Sequence, residues 1–436
     1  MIKNGDKNVL DATMDRIKLI FEDFENVLVA FSCGKDSGIM LSLTYEYAKK
    51  HGMLHKLSVY YMDYEAGYKY TDDYAYRVFS ELDIPKKYWL CLPISAACSV
   101  SMYEPRWIPW DKDKKDIWVR DMPQLDCVVN EDNCPYEFIK GTKGFDGRIQ
   151  FAEWFSETYG KTAVLIGIRA EESLTRQSIF TSQHRRYAHK GLRYSKVVSK
   201  DVINFYPIYD WETEDIWKAN YQFDFDYNKI YDLYYQAGLT IDQMRVASPF
   251  HQCGQNDLKL YRVIDPHNWG KMVGRVNGCN FGGIYGGTSG MAWKTISKPK
   301  HFTWEEYAHF LIDTLPEATK KKFIEHLKRL QYNWSDKGYG RNPEVISQME
   351  LEGIKIEKTG EVSNLCTKPK HYEVIKIKSG FPEETKIQNF RRCPSWKAVC
   401  ITIMKNDFTL TYMGCSRTKD DNIKKQNALK RYKKQK

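Results

Sequence analysis

The sequence predicts an α/β protein: a largely parallel sheet with helices on both faces, followed by a smaller C-terminal region of helical and α+β character. Three stretches predict it: NVLVAFSCGKDSG at 26–38, KLSVYYMDYEAGYKYTDDYAYRVF at 56–79 and TAVLIGIRAEESLTR at 162–176. Each contains a short apolar run, which fits a strand covered on both faces. Each then passes at once into small or charged residues.

In the first stretch, Val27 to Phe31 reads as the strand. From Asp36 to Lys50 the residues Ile39, Met40, Leu43 and Tyr47 fall at helical spacing, and His51-Gly52 supplies a stop. A turn of small residues between strand and helix points backbone N–H groups at an anion. The helix N-terminus favours negative charge, and Lys35 can neutralise phosphate oxygens. The spacing is neither the GxxxxGK[ST] of a Walker A loop nor GxGxxG.

In the second stretch, Leu57 to Met62 reads as a strand that ends in Asp63-Tyr64-Glu65, with a helix opening near Thr71. Carboxylates at the carboxyl end of such a strand lie where ligands bind in open α/β sheets. In the third, Ala163 to Ile168 is followed by Arg169, Glu171, Glu172, Ser173 and Arg176. Cations at the carboxyl end of a sheet, opposite a phosphate loop, suit a departing pyrophosphate.

These motifs carry a family resemblance. SCGKDS resembles the SGGKDS loop of the ATP pyrophosphatase (PP-loop) superfamily, which includes phosphoadenosine phosphosulfate (PAPS) reductases, the small subunit of bacterial ATP sulfurylase and the DndC-type proteins of DNA phosphorothioation. GIRAEESLTR resembles the GxRxxES..R element of PAPS reductase-like proteins. The resemblance implies a Rossmann-like adenine nucleotide alpha hydrolase sheet, with nucleotide phosphates over Ser32, Cys33, Gly34, Lys35, Asp36 and Ser37. It places Asp63 at the nucleotide, with Glu65 a secondary candidate, and carries Gly167, Arg169, Glu172, Ser173 and Arg176 to the site. Lys35, Asp36, Arg169 and Arg176 are the expected catalytic groups, and Asp36 is a candidate for holding magnesium through the phosphates. Cys33 replaces the first glycine of the family loop; it reads as a small buried cysteine or as a reactive thiol near the phosphates.

Downstream, YPIYDWETEDIW at 206–217 resembles the PLxDWTxxDVW element that packs the sheet against its last helix, with Thr213 as candidate N-cap. The expected organisation is a nucleotide domain over 1–245, a Gly- and Cys-containing connection over 246–300, a C-terminal domain over 301–416 and a basic tail over 417–436. An insertion at about 84–150 reads as loops and short elements, because of its prolines and its DKDKKD run. Phe151 to Tyr159 reads as a helix, and Trp107, Trp110 and Trp118 read as a satellite core in preference to a stacking surface. Two helical patterns follow at 303–315 and 317–334, split by Pro316, and an apolar helix begins near Ser395. The C-terminal part resembles large PAPS reductase-like proteins related to IbrA, a co-activator of prophage gene expression that has a ParB-like partner, IbrB. That resemblance implies a phage-related, transcription-linked role.

Net charge is +10. The tail from Arg417 carries nine Lys/Arg against Asp420 and Asp421, and HRRYAHKGLRYSK at 184–196 is similarly basic. Each is open to nucleic acid, to a phosphate or acidic partner, or to plain solvation. An apolar leader segment is missing and no run of 18 apolar residues occurs, so a soluble cytoplasmic protein is expected, with no membrane association. Eleven scattered cysteines suit a reducing compartment; zinc or an iron-sulfur cluster would require distant loops to converge on Cys127, Cys134, Cys253, Cys279, Cys393 or Cys400. Cys253 is preceded by Gln252 and sits mid-chain, so the reducing Glu-Cys-Gly cysteine of PAPS reductases does not carry over to it.

Retention of Lys35, Asp36 and Ser37 favours an enzyme that splits ATP into AMP and pyrophosphate while adenylating an acceptor, with sulfur transfer or a nucleic-acid substrate as further steps. The alternatives are thiol-dependent reduction of PAPS or adenylyl sulfate, and a nucleotide-binding regulator acting with a ParB-like partner or DNA.

Overall fold

The computed structural model describes residues 7–101, 103–104, 106–172, 176, 180, 188–251, 255–285, 296–362, 372–387 and 389–415. The chain divides into two compact units, one of residues 1–97 and 106–276 and the other of residues 98–105 and 277–436.

The first unit is built on a seven-stranded sheet. Its strands are β1 (Asn26–Phe31), β2 (Leu57–Met62), β3 (Lys86–Leu90), β6 (Val128–Val129), β7 (Thr162–Ile166), β8 (Ser195–Val197) and β9 (Val202–Phe205), in the spatial order β6-β3-β2-β1-β7-β9-β8. The short β4 (Ala96–Ala97) and β5 (Arg106–Trp107) form a separate antiparallel pair. Every pairing in the large sheet is parallel except β8 with β9.

The period of two along each strand divides its side chains between two cores. Val27, Val29 and Phe31 of β1, Val59 and Tyr61 of β2, and Ala163 and Leu165 of β7 join one cluster. That cluster also takes in side chains of α1 (Val9–Asp23), α2 (Lys35–Lys50) and α3 (Lys69–Glu81). Leu28, Tyr60, Met62 and Val164 join Phe151 and Phe155 of α4 (Gly144–Tyr159) in the other. Burying each large apolar side chain in this way contributes roughly 1.5–3 kcal/mol before entropic costs. The continuous apolar runs are therefore central strands covered on both sides.

The stretch at 206–217 is an architectural clamp. Arg16 of α1 makes a two-pronged ion pair with Asp210, and Trp211 Nε1 donates to Thr13 Oγ1 at 2.8 Å. The following helix, α5 (Thr213–Phe223), is capped by Glu212, one residue before the expected Thr213, and the Asp215 carboxylate accepts from the Glu212 N–H. α6 (Ile230–Gln236), α7 (Gln255–Ile264) and α8 (Pro266–Arg275) complete the unit.

Three expectations about 84–150 need correction. KKYWL and Val128–Val129 extend the main sheet beyond β2, so the segment contributes parallel strands as well as loops. The lysines of β3 hid it, although Trp89 and Leu90 are fully buried. α4 also begins at Gly144, seven residues before Phe151. Trp107 and Trp110 are buried; Trp110 meets Trp118 edge-on at 5.2 Å and belongs to the main core rather than to a satellite.

The second unit has a three-stranded antiparallel sheet, β10 (Tyr339–Arg341), β12 (Glu373–Ile377) and β11 (Ile356–Val362) in that spatial order. Helices α9 (Cys279–Tyr285), α10 (Trp304–Asp313), α11 (Glu317–Tyr332), α12 (Pro343–Leu351) and α13 (Trp396–Met404) accompany it. α10 opens with a reciprocal cap between Thr303 and Glu306, and Pro316 caps α11, so the proline separates the two helices as its missing N–H and fixed φ require. Phe323, Leu327, Trp334, Ile375, Trp396 and Val399 share one core.

Among the described residues no helix is long and apolar enough to cross a membrane. The basic tail, residues 184–187 and Cys253 lie outside the described residues.

Candidate active site

The chain leaves β1 toward β2 on one side and returns through β7 on the other. The carboxyl ends of β1 and β7, paired through Ala30 and Ile166, therefore form the switch point of the sheet. Loops diverge there and leave a crevice. The Ser32-Cys33-Gly34 turn and the Gly167-Ile168-Arg169 turn face it from neighbouring strands.

The first turn is held by its own side chains. Ser37 Oγ accepts from the Ser32 N–H at 3.1 Å and donates to the Gly34 carbonyl at 3.0 Å. Cys33 adopts φ +59°, the left-handed region that favours glycine, which accounts for the glycine of the family loop at this point. Its carbonyl accepts from Asn228 Nδ2, and the Lys35 N–H donates to Tyr231 Oη at 2.9 Å. Tyr231 and Asn228, from the segment leading into α6, were not among the predicted site residues; nothing local in YNKIY marks them as partners of a loop some 195 residues earlier. Gly167 is required by close approach: a Cβ there would sit 2.8 Å from the Asp36 carbonyl oxygen and 2.9 Å from the Ser37 nitrogen.

That approach brings the charged groups together. The Asp36 carboxylate accepts from Lys35 Nζ at 3.1 Å and from Arg169 Nε at 2.5 Å. Arg169, only 2% exposed, also reaches Glu171 Oε2 at 2.6 Å and Thr213 Oγ1 at 3.0 Å. Burial lowers the Lys35 pKa, Asp36 opposes that shift, and the Arg169 charge adds to it. An anionic ligand would oppose that lowering. Arg176 pairs with Glu172, four residues before it.

Ser32, Gly34, Lys35, Asp36, Ser37, Gly167, Arg169, Glu172 and Arg176 all line one cavity of about 570 Å³. Arg148, Glu171, Tyr231, Arg245 and His251 complete its charged and aromatic lining among the described residues. A smaller niche of about 100 Å³ shares Ser32, Val246 and Ala247 with it and is walled by Tyr61, Tyr64, Tyr68, Tyr234 and Tyr261.

Three predicted residues are placed elsewhere. The Cys33 side chain is fully buried in the core; burial, and then the Asp72 and Asp63 charges, hold its thiol well above the ordinary value. That environment suits the inert reading. Asp63 lines neither cavity. Its carboxylate accepts from Trp89 Nε1 at 2.7 Å and from the Glu65 N–H at 2.8 Å, and it pairs with Arg120. Glu65 is fully buried in a two-pronged pair with Arg275 at 2.8 and 3.0 Å. Ser173 lies outside the described residues.

Asp36 is the one lining carboxylate on the phosphate loop itself, with its side chain 16% exposed. A single carboxylate beside a phosphate-binding turn fits magnesium, which commonly uses one or two carboxylates plus substrate phosphates. Among the described residues no group of three or more His, Cys, Asp or Glu is arranged to hold a metal ion by itself.

Comparison with known proteins agrees with this geometry. Residues 139–238 match the phosphoadenosine phosphosulfate reductase domain, and residues 238–424 match a domain of unknown function, DUF3440. Among solved structures, the chain is similar to the FMN adenylyltransferase of Candida glabrata at 12% identity, covering 53% of this chain and 62% of that one, with a TM-score of 0.30. It is also similar to the PAPS reductase of Candida auris at 14% identity, covering 52% and 85%, with a TM-score of 0.29. These two likenesses are too low to bear on function. The Uncharacterized protein YbdN of Escherichia coli (strain K12) is 31% identical over 431 residues, 96% of this chain and 93% of that protein. The chain belongs to the same family as YbdN, and through residues 139–238 it is a distant relative of the PAPS reductases within the PP-loop superfamily of adenine-nucleotide enzymes.

Proposed function

We propose that the protein binds ATP in the cavity at the ends of β1 and β7 and transfers its adenylyl group to an acceptor, releasing pyrophosphate. The observation that carries this reading is the meeting of Lys35 and Arg169, from two neighbouring strand ends, on the single carboxylate of Asp36 within that cavity. An acceptor lone pair forms a bond to the α-phosphorus, the bond to the α,β-bridging oxygen breaks, and pyrophosphate leaves with that electron pair.

Lys35 and Arg169 lie where they can offset the charge that develops on the leaving group, and Asp36 and Ser37 at the start of α2 line the same cavity. Removing one such preorganised donor typically costs about 10²–10³ in rate. Magnesium, when bound, supplies charge neutralisation between phosphate oxygens, and Asp36 is the residue that would hold it. The tyrosine-walled niche beside Ser32 suits the adenine ring, which stacks on aromatic faces.

The test is incubation with α-labelled ATP and magnesium, resolving AMP, ADP and adenylated products, with and without nucleic acid. Formation of AMP and pyrophosphate that falls at least 100-fold in Lys35→Ala is expected. Tight nucleotide binding with no AMP under any of these conditions would overturn adenylyl transfer. That outcome would favour either an IbrA-like regulator working with a ParB-like partner or a protein that handles PAPS.

A further inference from the structure

The inner part of the cavity balances its own charge, and its rim does not. Among the described residues Lys35, Arg148, Arg169, Arg176 and Arg245 line it against Asp36, Glu171 and Glu172. All three carboxylates are engaged: Asp36 by Lys35 and Arg169, Glu171 by Arg169, and Glu172 by Arg176. Arg148, on α4, makes no hydrogen bond or ion pair among the described residues. Arg245 donates to the main-chain carbonyl of Glu172 at 3.3 Å and has no carboxylate partner among them. Both side chains are exposed where they line the cavity.

Two guanidinium groups without carboxylate partners among the described residues, lining one cavity, focus a positive field into it. The planar fork of each matches a carboxylate, sulfate or phosphate edge with two parallel hydrogen bonds. Lys35 and Arg169 already share the Asp36 carboxylate, whereas Arg148 and Arg245 have no carboxylate partner among the described residues and can take a further negative group. A cationic amine would be repelled there.

We propose that Arg148 and Arg245 hold an anionic oxygen group on the acceptor, so that the acceptor is an oxyanion and not a neutral or cationic nucleophile. This rests on the adenylyl-transfer reading above. It also fits the carboxylates: with all three engaged in ion pairs, none is free to act as general base, and a deprotonated oxyanion needs none. Its oxygen forms the bond to the α-phosphorus, the α,β-bridging bond breaks, pyrophosphate carries away the electron pair, and no proton moves. The two arginines come from different parts of the chain, Arg148 from the reductase-like segment and Arg245 from the segment of unknown function. The latter segment thus supplies an acceptor contact to a nucleotide cavity.

The test is calorimetric and does not depend on turnover. The full chain is first loaded with α,β-methylene ATP and magnesium, then titrated separately with sulfate, phosphate, acetate and glutamate; the tetrahedral anions and the carboxylates are the two arms that separate the sources of the shared chemistry. The expected result is saturable binding of one class, weakened 10–100-fold in Arg148→Ala and in Arg245→Ala. Affinity for the nucleotide analogue should stay within about twofold in both variants, and Arg148→Lys should recover part of the anion affinity. If no anion binds the loaded protein below about 10 mM, or if either alanine variant weakens the nucleotide tenfold, the inference fails and these arginines are not an acceptor site. Failure of the underlying reading is seen separately, as unchanged analogue affinity in Lys35→Ala.

Discussion

The carboxyl ends of β1 and β2 are adjacent and parallel, and each is followed by acidic residues, yet the two regions use their charges in opposite ways. After β1, Asp36 lies on a cavity wall and shares its carboxylate between Lys35 and Arg169, which also line that cavity. After β2, Asp63 and Glu65 are at most 1% exposed and are closed off by Arg120 and Arg275, with Trp89, the Glu65 N–H, Cys91, Trp110 and Val119 donating further hydrogen bonds. An ion pair that faces a cavity can exchange partners with a ligand. One that is sealed and fully satisfied serves the fold.

The largest effect expected from this difference is on stability. Glu65→Gln leaves the 1%-exposed Arg275 guanidinium without its counter-charge, and breaking a buried pair from one side typically costs about 3–5 kcal/mol. Asp36→Asn should cost less, because Arg169 keeps its pair with Glu171 and Lys35 lines a cavity, while lowering AMP formation at least 100-fold. Urea unfolding midpoints and α-labelled ATP turnover, measured on both variants, check this. The contrast collapses if Asp36→Asn unfolds as readily as Glu65→Gln, or if the latter loses turnover at temperatures where it remains folded.

The same contrast explains what the sequence could reveal. The strands were legible because their continuous apolar runs are covered on both faces, and the phosphate loop because its strand, small-residue turn and helix are contiguous. Gly167 was legible through the family motif alone, since nothing in the residues themselves shows that it touches Asp36, whereas Arg169 was also marked by its place after a strand. Asp63 looked like a ligand group for the right topological reason, because it does follow a strand. Its partners Trp89 and Arg120 come from a stretch whose lysines and aspartates conceal β3, and Arg275 lies 210 residues from Glu65. Pairings at that separation are set by tertiary packing and leave no periodic trace.

A moderate effect is expected from Asp72, which shares Arg120 with Asp63 and whose Oδ1 has no hydrogen-bond partner. Burial raises its carboxyl, Arg120 partly offsets that, and Asp63 adds to it, pushing the pKa from 3.8 up to about 8. Between those values the folded chain retains a proton that the unfolded chain has released. This contribution to stability is therefore complete below about pH 4 and is lost as pH rises toward 8. Asp72→Asn should flatten that part of the profile and gain on the order of 1–3 kcal/mol at pH 8 relative to the parent. Urea midpoints at pH 5 and pH 8 for both proteins measure it, and parallel slopes would show that Asp72 is ionised throughout.

The smallest effect lies between the two regions, at Cys33. Its φ of +59° disfavours a side chain, a cost of roughly 1–2 kcal/mol that glycine would relieve. Cys33→Gly also gives up a fully buried thiol and adds about 0.5–1 kcal/mol of unfolded-state entropy. These terms oppose one another at similar size, so the unfolding free energy should change by less than about 1 kcal/mol in either direction. The parent thiol, fully buried and with its pKa held high, should resist iodoacetamide in the folded protein and react only on unfolding. Rapid alkylation of native Cys33, blocked by ATP, would instead make it a nucleotide-side residue and move the boundary between the cavity and the sealed network one residue into the loop.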